Sequence, residues 1–195
     1  MDFCAEWRTA LAVPITQKGD QPSEILPGLF LSGHPARFGV KGCTPHPSRY
    51  LLERHAIGLV VNCCAPPSAA PYVIEDIATG EKLAGVDPEV AFRAFATPTT
   101  VVHMNIAAED EVDYDLARSF SPAVACISHA AGSGRGVLVH CQMGVSRSAT
   151  VLGAYLMARY RLGHADAIAH MESRRSCVDP NPGFRAQLRA WETPN

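Results

Sequence analysis

Cys141 and Arg147 stand six residues apart, with Gln142-Met143-Gly144-Val145-Ser146 between them. The apolar run Gly136-Val137-Leu138-Val139 precedes them, and Ser148 to Met157 follows with helical character. A strand, a short loop and a helix N-terminus in that order aim backbone N–H groups and the positive end of a helix dipole at one point. An anion is held there, and a cysteine at that point has its thiol pulled below the ordinary ~8.5 towards the thiolate. The planar fork of Arg147 suits two phosphate oxygens at once. The chemistry implied is a phosphate held against a nucleophilic sulfur. A buried cysteine is usually an inert small hydrophobe, but neither the arginine spacing nor the strand before it is needed for that.

A thiolate can attack phosphorus, but the departing oxygen needs a proton from an acid held over the phosphate. Ile106-Ala107-Ala108-Glu109-Asp110-Glu111 follows a strand-like run. Asp110, Glu109 and Asp113 are the candidate acids. An acidic cluster before a helix also complements the helix dipole, and Asp113 is read as that cap.

The run His140-Cys141-Gln142-Met143-Gly144-Val145-Ser146-Arg147-Ser148 resembles the His-Cys-x5-Arg-Ser/Thr signature of cysteine-dependent protein phosphatases. The following Ala149-Thr150 and Ala154-Tyr155-Leu156-Met157 are similar to the dual-specificity branch, in particular the MAP-kinase phosphatases and small atypical members. Ile25-Leu26-Pro27-Gly28-Leu29-Phe30-Leu31-Ser32 resembles that family's entry strand. Arg174-Arg175-Ser176-Cys177-Val178-Asp179-Pro180-Asn181-Pro182-Gly183-Phe184 resembles its Arg-Arg-Ser-Ile-Ile-x-Pro-Asn-x-x-Phe run.

The resemblance implies Cys141 as nucleophile, Arg147 and residues 142–146 (Gln142, Met143, Gly144, Val145, Ser146) as the phosphate cradle, and Asp110 as the general acid. It implies Ser148 as donor to the departing thiolate, and His140 and Asn181 as supports of the loop. Arg175 is placed near a second phosphate of a doubly phosphorylated peptide, against the plainer reading of a solvated helix-end arginine. Some relatives keep a cysteine that forms a reversible disulfide with the nucleophile. Cys64, or less favoured Cys63, fits that place, although ordinary strand-end cysteines are the plainer reading. The implied activity is hydrolysis of phosphotyrosine and phosphoserine or phosphothreonine in proteins through a phosphocysteine. The alternatives are a phosphatase of phosphoinositides, RNA 5′ ends or phosphoglycans, and a non-catalytic phosphate-binding scaffold. The loop between Cys141 and Arg147 has no lysine or histidine to hold extra phosphates, which disfavours the first alternative.

The elements that must position these residues are those of an α/β fold: a central, mostly parallel sheet flanked by helices, with the phosphate loop between a strand and a helix. At 195 residues, with 47% hydrophobic and 18% charged residues, the chain can bury one sizeable core. Residues 1–24 read as an N-terminal arm and 25–195 as one catalytic domain. Residues 25–33 read as a strand pair around Pro27-Gly28, 48–57 as a helix, 58–63 as a strand and 101–106 as the next strand. Residues 65–99 have no counterpart in the resemblance. They read as an insertion with a hairpin over 73–83 and a helix start at Asp87-Pro88-Glu89, a surface elaboration rather than a recruiting element. A helix is expected from about Asp113, re-initiating at Ser121-Pro122 and ending near 132–134. Two more are expected over 164–175 and 182–191.

The net charge of −2 gives no basis for a nucleic-acid surface, and no run reaches the roughly 20 apolar residues that span a bilayer. Met1-Asp2-Phe3-Cys4 lacks a signal-peptide pattern. Seven cysteines without a CxxC spacing suit neither a disulfide framework nor a zinc site. The expectation is therefore no metal and no cofactor, a cytoplasmic or also nuclear setting, and a phosphoprotein substrate, with a kinase among the candidates.

Overall fold

The computed structural model describes residues 22–33 and 49–191. Most of the expected N-terminal arm, residues 1–21, lies outside them. A seven-stranded sheet organises the molecule, in the order β1-β2-β7-β3-β6-β4-β5. The strands are β1 (Ser23–Leu26), β2 (Leu29–Ser32), β3 (Ile57–Asn62), β4 (Tyr72–Asp76), β5 (Lys82–Ala84), β6 (Thr100–Asn105) and β7 (Gly136–His140). The four central strands β2, β7, β3 and β6 run parallel. β1 at one edge and the β4–β5 pair at the other run antiparallel.

The central strands are near-continuous apolar runs because both faces are covered. Leu59, Val61, Val137, Val139 and Val102 point to one face. It is covered by α3 (Phe120–Gly132), α4 (Arg147–Tyr160), α5 (His164–Arg174) and α6 (Pro182–Trp191). Phe30, Ile57, Val60, Val101 and Leu138 point to the other, where Leu52 of α1 (Arg49–Arg54) joins them. In α6, Phe184 and Leu188 are fully buried, and Trp191 sets its ring edge-on to Phe120 with centroids 5.5 Å apart. That i, i+4, i+7 stripe fixes which way the N-terminal turn of α6 faces.

Residues 65–99, expected as an insertion, contribute two strands to the sheet. β4 pairs with β6 from Tyr72↔Met104 to Asp76↔Thr100, and β5 pairs with β4. The helix expected at Asp87 is α2 (Pro88–Ala94), with the Asp87 carboxylate accepting from the Val90 N–H at 2.9 Å. Phe92 of α2 stacks on His129 of α3, ring centroids 4.2 Å apart.

The helix expected from Asp113 is absent. Residues 112–113 form a turn, a single 3₁₀ turn covers Ala117–Ser119, and α3 begins at Phe120. The cause is tertiary. The Gln187 side chain of α6 accepts from the Leu116 and Ala117 N–H groups at 2.9 and 2.8 Å, and donates to the Tyr114 carbonyl at 2.7 Å. Two of these groups, the Ala117 N–H and the Tyr114 carbonyl, are ones that an α-helix starting at Asp113 would use internally. Asp113 therefore caps no helix.

Candidate active site

β7 ends at His140, the loop 141–146 follows, and α4 starts at Arg147. Gly144 makes the tight loop possible. Its φ is +68°, and a Cβ there would lie 2.4 Å from the Ser32 carbonyl carbon, so only glycine fits this close approach to β2.

Cys141 sits at the bottom, 1% exposed. Its Sγ accepts from the Ser148 hydroxyl at 3.1 Å and from the Gly144 N–H at 3.3 Å. Burial pushes the thiol up, but the Ser148 hydroxyl and the N–H groups of Ser148, Gly144 and Met143 outweigh it, so the group titrates below its ordinary value. Hydrogen bonds to the charged form decide the direction here.

Arg147 is 15% exposed at its side chain, with Nη1 donating to the Ala108 carbonyl at 3.0 Å and Nε 3.6 Å from Asp110 Oδ2. Asp110 Oδ1 accepts from the Ser146 hydroxyl at 2.6 Å and from Asn181 Nδ2 at 3.0 Å. The Asn181 N–H donates to Ser146 Oγ at 3.2 Å, and Asn181 Oδ1 accepts from the Phe184 N–H at 2.9 Å, capping α6. Asp179 N–H donates to the Val145 carbonyl at 3.0 Å. Three segments far apart in sequence thus meet around one carboxylate. Glu109 and Asp113, the other candidate acids, are exposed, as Asp110 is.

Arg175 differs from its expected place. It is 4% exposed, and its guanidinium donates to the Gly144 carbonyl from Nε at 2.9 Å and to the Met143 carbonyl from Nη2 at 3.1 Å. Nη1 reaches Ser23 Oγ at 3.4 Å. α5 stops at Arg174, and the extended backbone of Arg175 (φ −142°, ψ 93°) turns the side chain under the loop. It holds the loop's carbonyls on the far side from the cradle, and as placed it offers nothing to a second phosphate. Of the other cradle residues, Gln142 and Met143 are exposed, Ser146 is buried and Val145 is partly buried. His140 is 1% exposed beneath the loop.

Cys63 and Cys64 follow β3, whose Asn62 pairs with His140 in the parallel register, and the Cys63 N–H donates to the His140 carbonyl at 2.8 Å. Cys63 is fully buried, Cys64 partly so. Burial and then the nearby Cys141 charge push both thiols up, Cys64 to about 11.

Ser146, expected only to bind phosphate, also fastens Asp110, and Gln187 was not singled out by the sequence. Neither role has a local signal, since both join segments dozens of residues apart.

The family model for the dual specificity phosphatase catalytic domain matches residues 81–194. Dual specificity protein phosphatase 1B of Arabidopsis thaliana is 42% identical over 95 residues, 49% of this chain and 57% of that protein. MAP kinase phosphatase with leucine-rich repeats protein 3 of Dictyostelium discoideum is 30% identical over 174 residues, 88% of this chain and 16% of that protein. The crystal structure of human DUSP28 superposes with a TM-score of 0.61 at 26% identity, covering 93% of this chain and 97% of that one. The first curated relatives are matched over at most 57% of their own length. With more than half of its residues matched by the family model, the chain belongs to the dual specificity phosphatase family.

Proposed function

We propose that this chain hydrolyses phosphotyrosine and phosphoserine or phosphothreonine in proteins through a phosphocysteine. The observation that carries the reading is one buried, donor-surrounded cysteine with a carboxyl group fastened beside its arginine. In the first step the S–P bond forms from the Cys141 thiolate, and the P–O bond to the substrate breaks. Asp110 gives its proton to the departing oxygen, while Arg147 and the loop N–H groups hold the three remaining oxygens. In the second step Asp110, now a carboxylate, takes a proton from water as that water attacks phosphorus. The S–P bond breaks, and Ser148 donates to the returning thiolate.

Turnover of a small aryl phosphate separates this reading from a binding scaffold. A panel of phosphopeptides, phosphoinositides and RNA 5′ phosphates then separates the enzyme readings, and phosphopeptides are expected to react fastest. No turnover of any of them would overturn the reading. The inward turn of Arg175 favours a single phosphate per encounter over a doubly phosphorylated segment. The five described cysteines are free thiols, which supports a reducing compartment such as cytoplasm or nucleus. No helix among the described residues is long and apolar enough to cross a membrane. A phosphorylated kinase is one substrate of the proposed class.

Mild peroxide is expected to inactivate the enzyme reversibly. Peroxide oxidises the Cys141 thiolate to sulfenic acid, and the Cys64 thiol displaces water from it to form a disulfide. Cys63, beside Cys141 in register, is the second choice. Peptide mass spectrometry of the oxidised protein is expected to show a Cys141–Cys64 cross-link. Sulfinic acid at Cys141 with no cross-linked peptide would contradict this.

A further inference from the structure

The acid-bearing segment 107–116 rests on α6 at a point where no side chain fits. A Cβ built on Gly183 would lie 1.8 Å from the Val112 carbonyl oxygen and 2.7 Å from its carbon. Both neighbours are backbone, so neither can swing aside, and any other residue at 183 forces the segment outward by about 1 Å or more. Gly183 is two residues past Asn181, the residue that caps α6 and donates to the Asp110 carboxylate. Val112 is two residues past Asp110.

The remaining contacts clamp the segment on both sides. Arg147 holds the Ala108 carbonyl, and the Tyr114 hydroxyl donates to the Ala107 carbonyl at 2.7 Å. Gln187, one turn further along α6, holds Tyr114, Leu116 and Ala117.

We infer that Gly183 is a positioning residue: its missing side chain lets the acid segment pack against α6 with Asp110 over the phosphate cradle. This rests on the proposed phosphatase reading. It adds that proton transfer from Asp110 depends on the bare backbone at position 183. A misplacement of about 1 Å can cost on the order of 10²-fold in rate, and the loss falls on the step that needs the proton.

The test compares the isolated wild-type chain with Gly183→Ala on a series of aryl phosphates whose leaving groups range from acidic to weakly acidic phenols. Inorganic phosphate serves as a competitive inhibitor that reads the cradle. Wild type is expected to show kcat/KM nearly independent of leaving group, with a basic limb in its pH profile. Gly183→Ala is expected to bind phosphate as wild type does and to stay within a few-fold on the most acidic leaving group. On the least acidic one it is expected to lose about 10²-fold and to lose the basic limb.

An unchanged leaving-group slope in Gly183→Ala would overturn the inference. So would a steep slope in wild type, which needs no variant to fold. A wild type without turnover would instead overturn the phosphatase reading, so the two failures are distinct.

Discussion

Cys141→Ser is expected to abolish turnover of every phosphomonoester while leaving the fold and phosphate binding in place. The loop donors that surround Sγ depress a thiol enough to ionise it. A serine hydroxyl starts many units higher and stays protonated at neutral pH in the same surroundings, so it is a poor nucleophile. The replacement is slightly smaller and keeps a hydrogen-bonding atom where Ser148 and Gly144 point, so the cradle has no cause to collapse. Arg147 and the loop N–H groups remain to hold phosphate. Steady-state assays with inorganic phosphate as inhibitor check both halves. Residual activity above about a few per cent of wild type would remove Cys141 from the nucleophile's place.

Asp110→Asn is expected to lower the rate on poor leaving groups by roughly 10²–10⁴, the usual range for a lost general acid. Asparagine has the same shape and can still meet Ser146 and Asn181, so position is kept while the proton is lost. Substrates whose oxygen departs readily without a proton should suffer far less. The variant's pH–rate profile should lose its basic limb, because that limb reports Asp110 giving up the proton. The acid limb should persist, since it reports the Cys141 thiolate forming as pH rises, and the depressed thiol sets it below the ordinary cysteine range. If Glu109→Gln shows this pattern and Asp110→Asn does not, the acid is one position earlier.

The phosphate loop was legible in the sequence because its signals are local. An apolar strand, a short loop containing Gly144 and a helix follow one another within 25 residues, from Gly136 to Tyr160. Asp110 was singled out by the family resemblance among three acidic candidates, and the fold sets it beside Arg147. The direction of Arg175 was not, because it depends on α5 ending one residue earlier and on Ser23 lying across the sheet edge.

The loop character of residues 113–116 was hidden for a related reason. Their acidic residues suit the first turn of a helix, but the segment is held instead by Gln187, about 70 residues away in sequence. The β4–β5 pair was visible as a hairpin, but its pairing with β6 was not. Register across a sheet is set by which face must be buried. Gly183 carries no sequence signal of its own, and its meaning appears only when Val112 is seen against it.

In the proposed reaction phosphate passes through Cys141. The most direct test is acid quench of a reacting mixture followed by peptide mass spectrometry, with Ser148→Ala beside wild type. Loss of the Ser148 hydroxyl removes the first donor that lowers the thiol, making the thiolate a poorer leaving group in the second step. The phosphoenzyme should therefore accumulate more in Ser148→Ala than in wild type. The predicted result is a phosphoryl group on the peptide containing Cys141, absent from Cys141→Ser. Product release without any phosphoryl-cysteine, or a phosphoryl group on a different residue, would contradict the account.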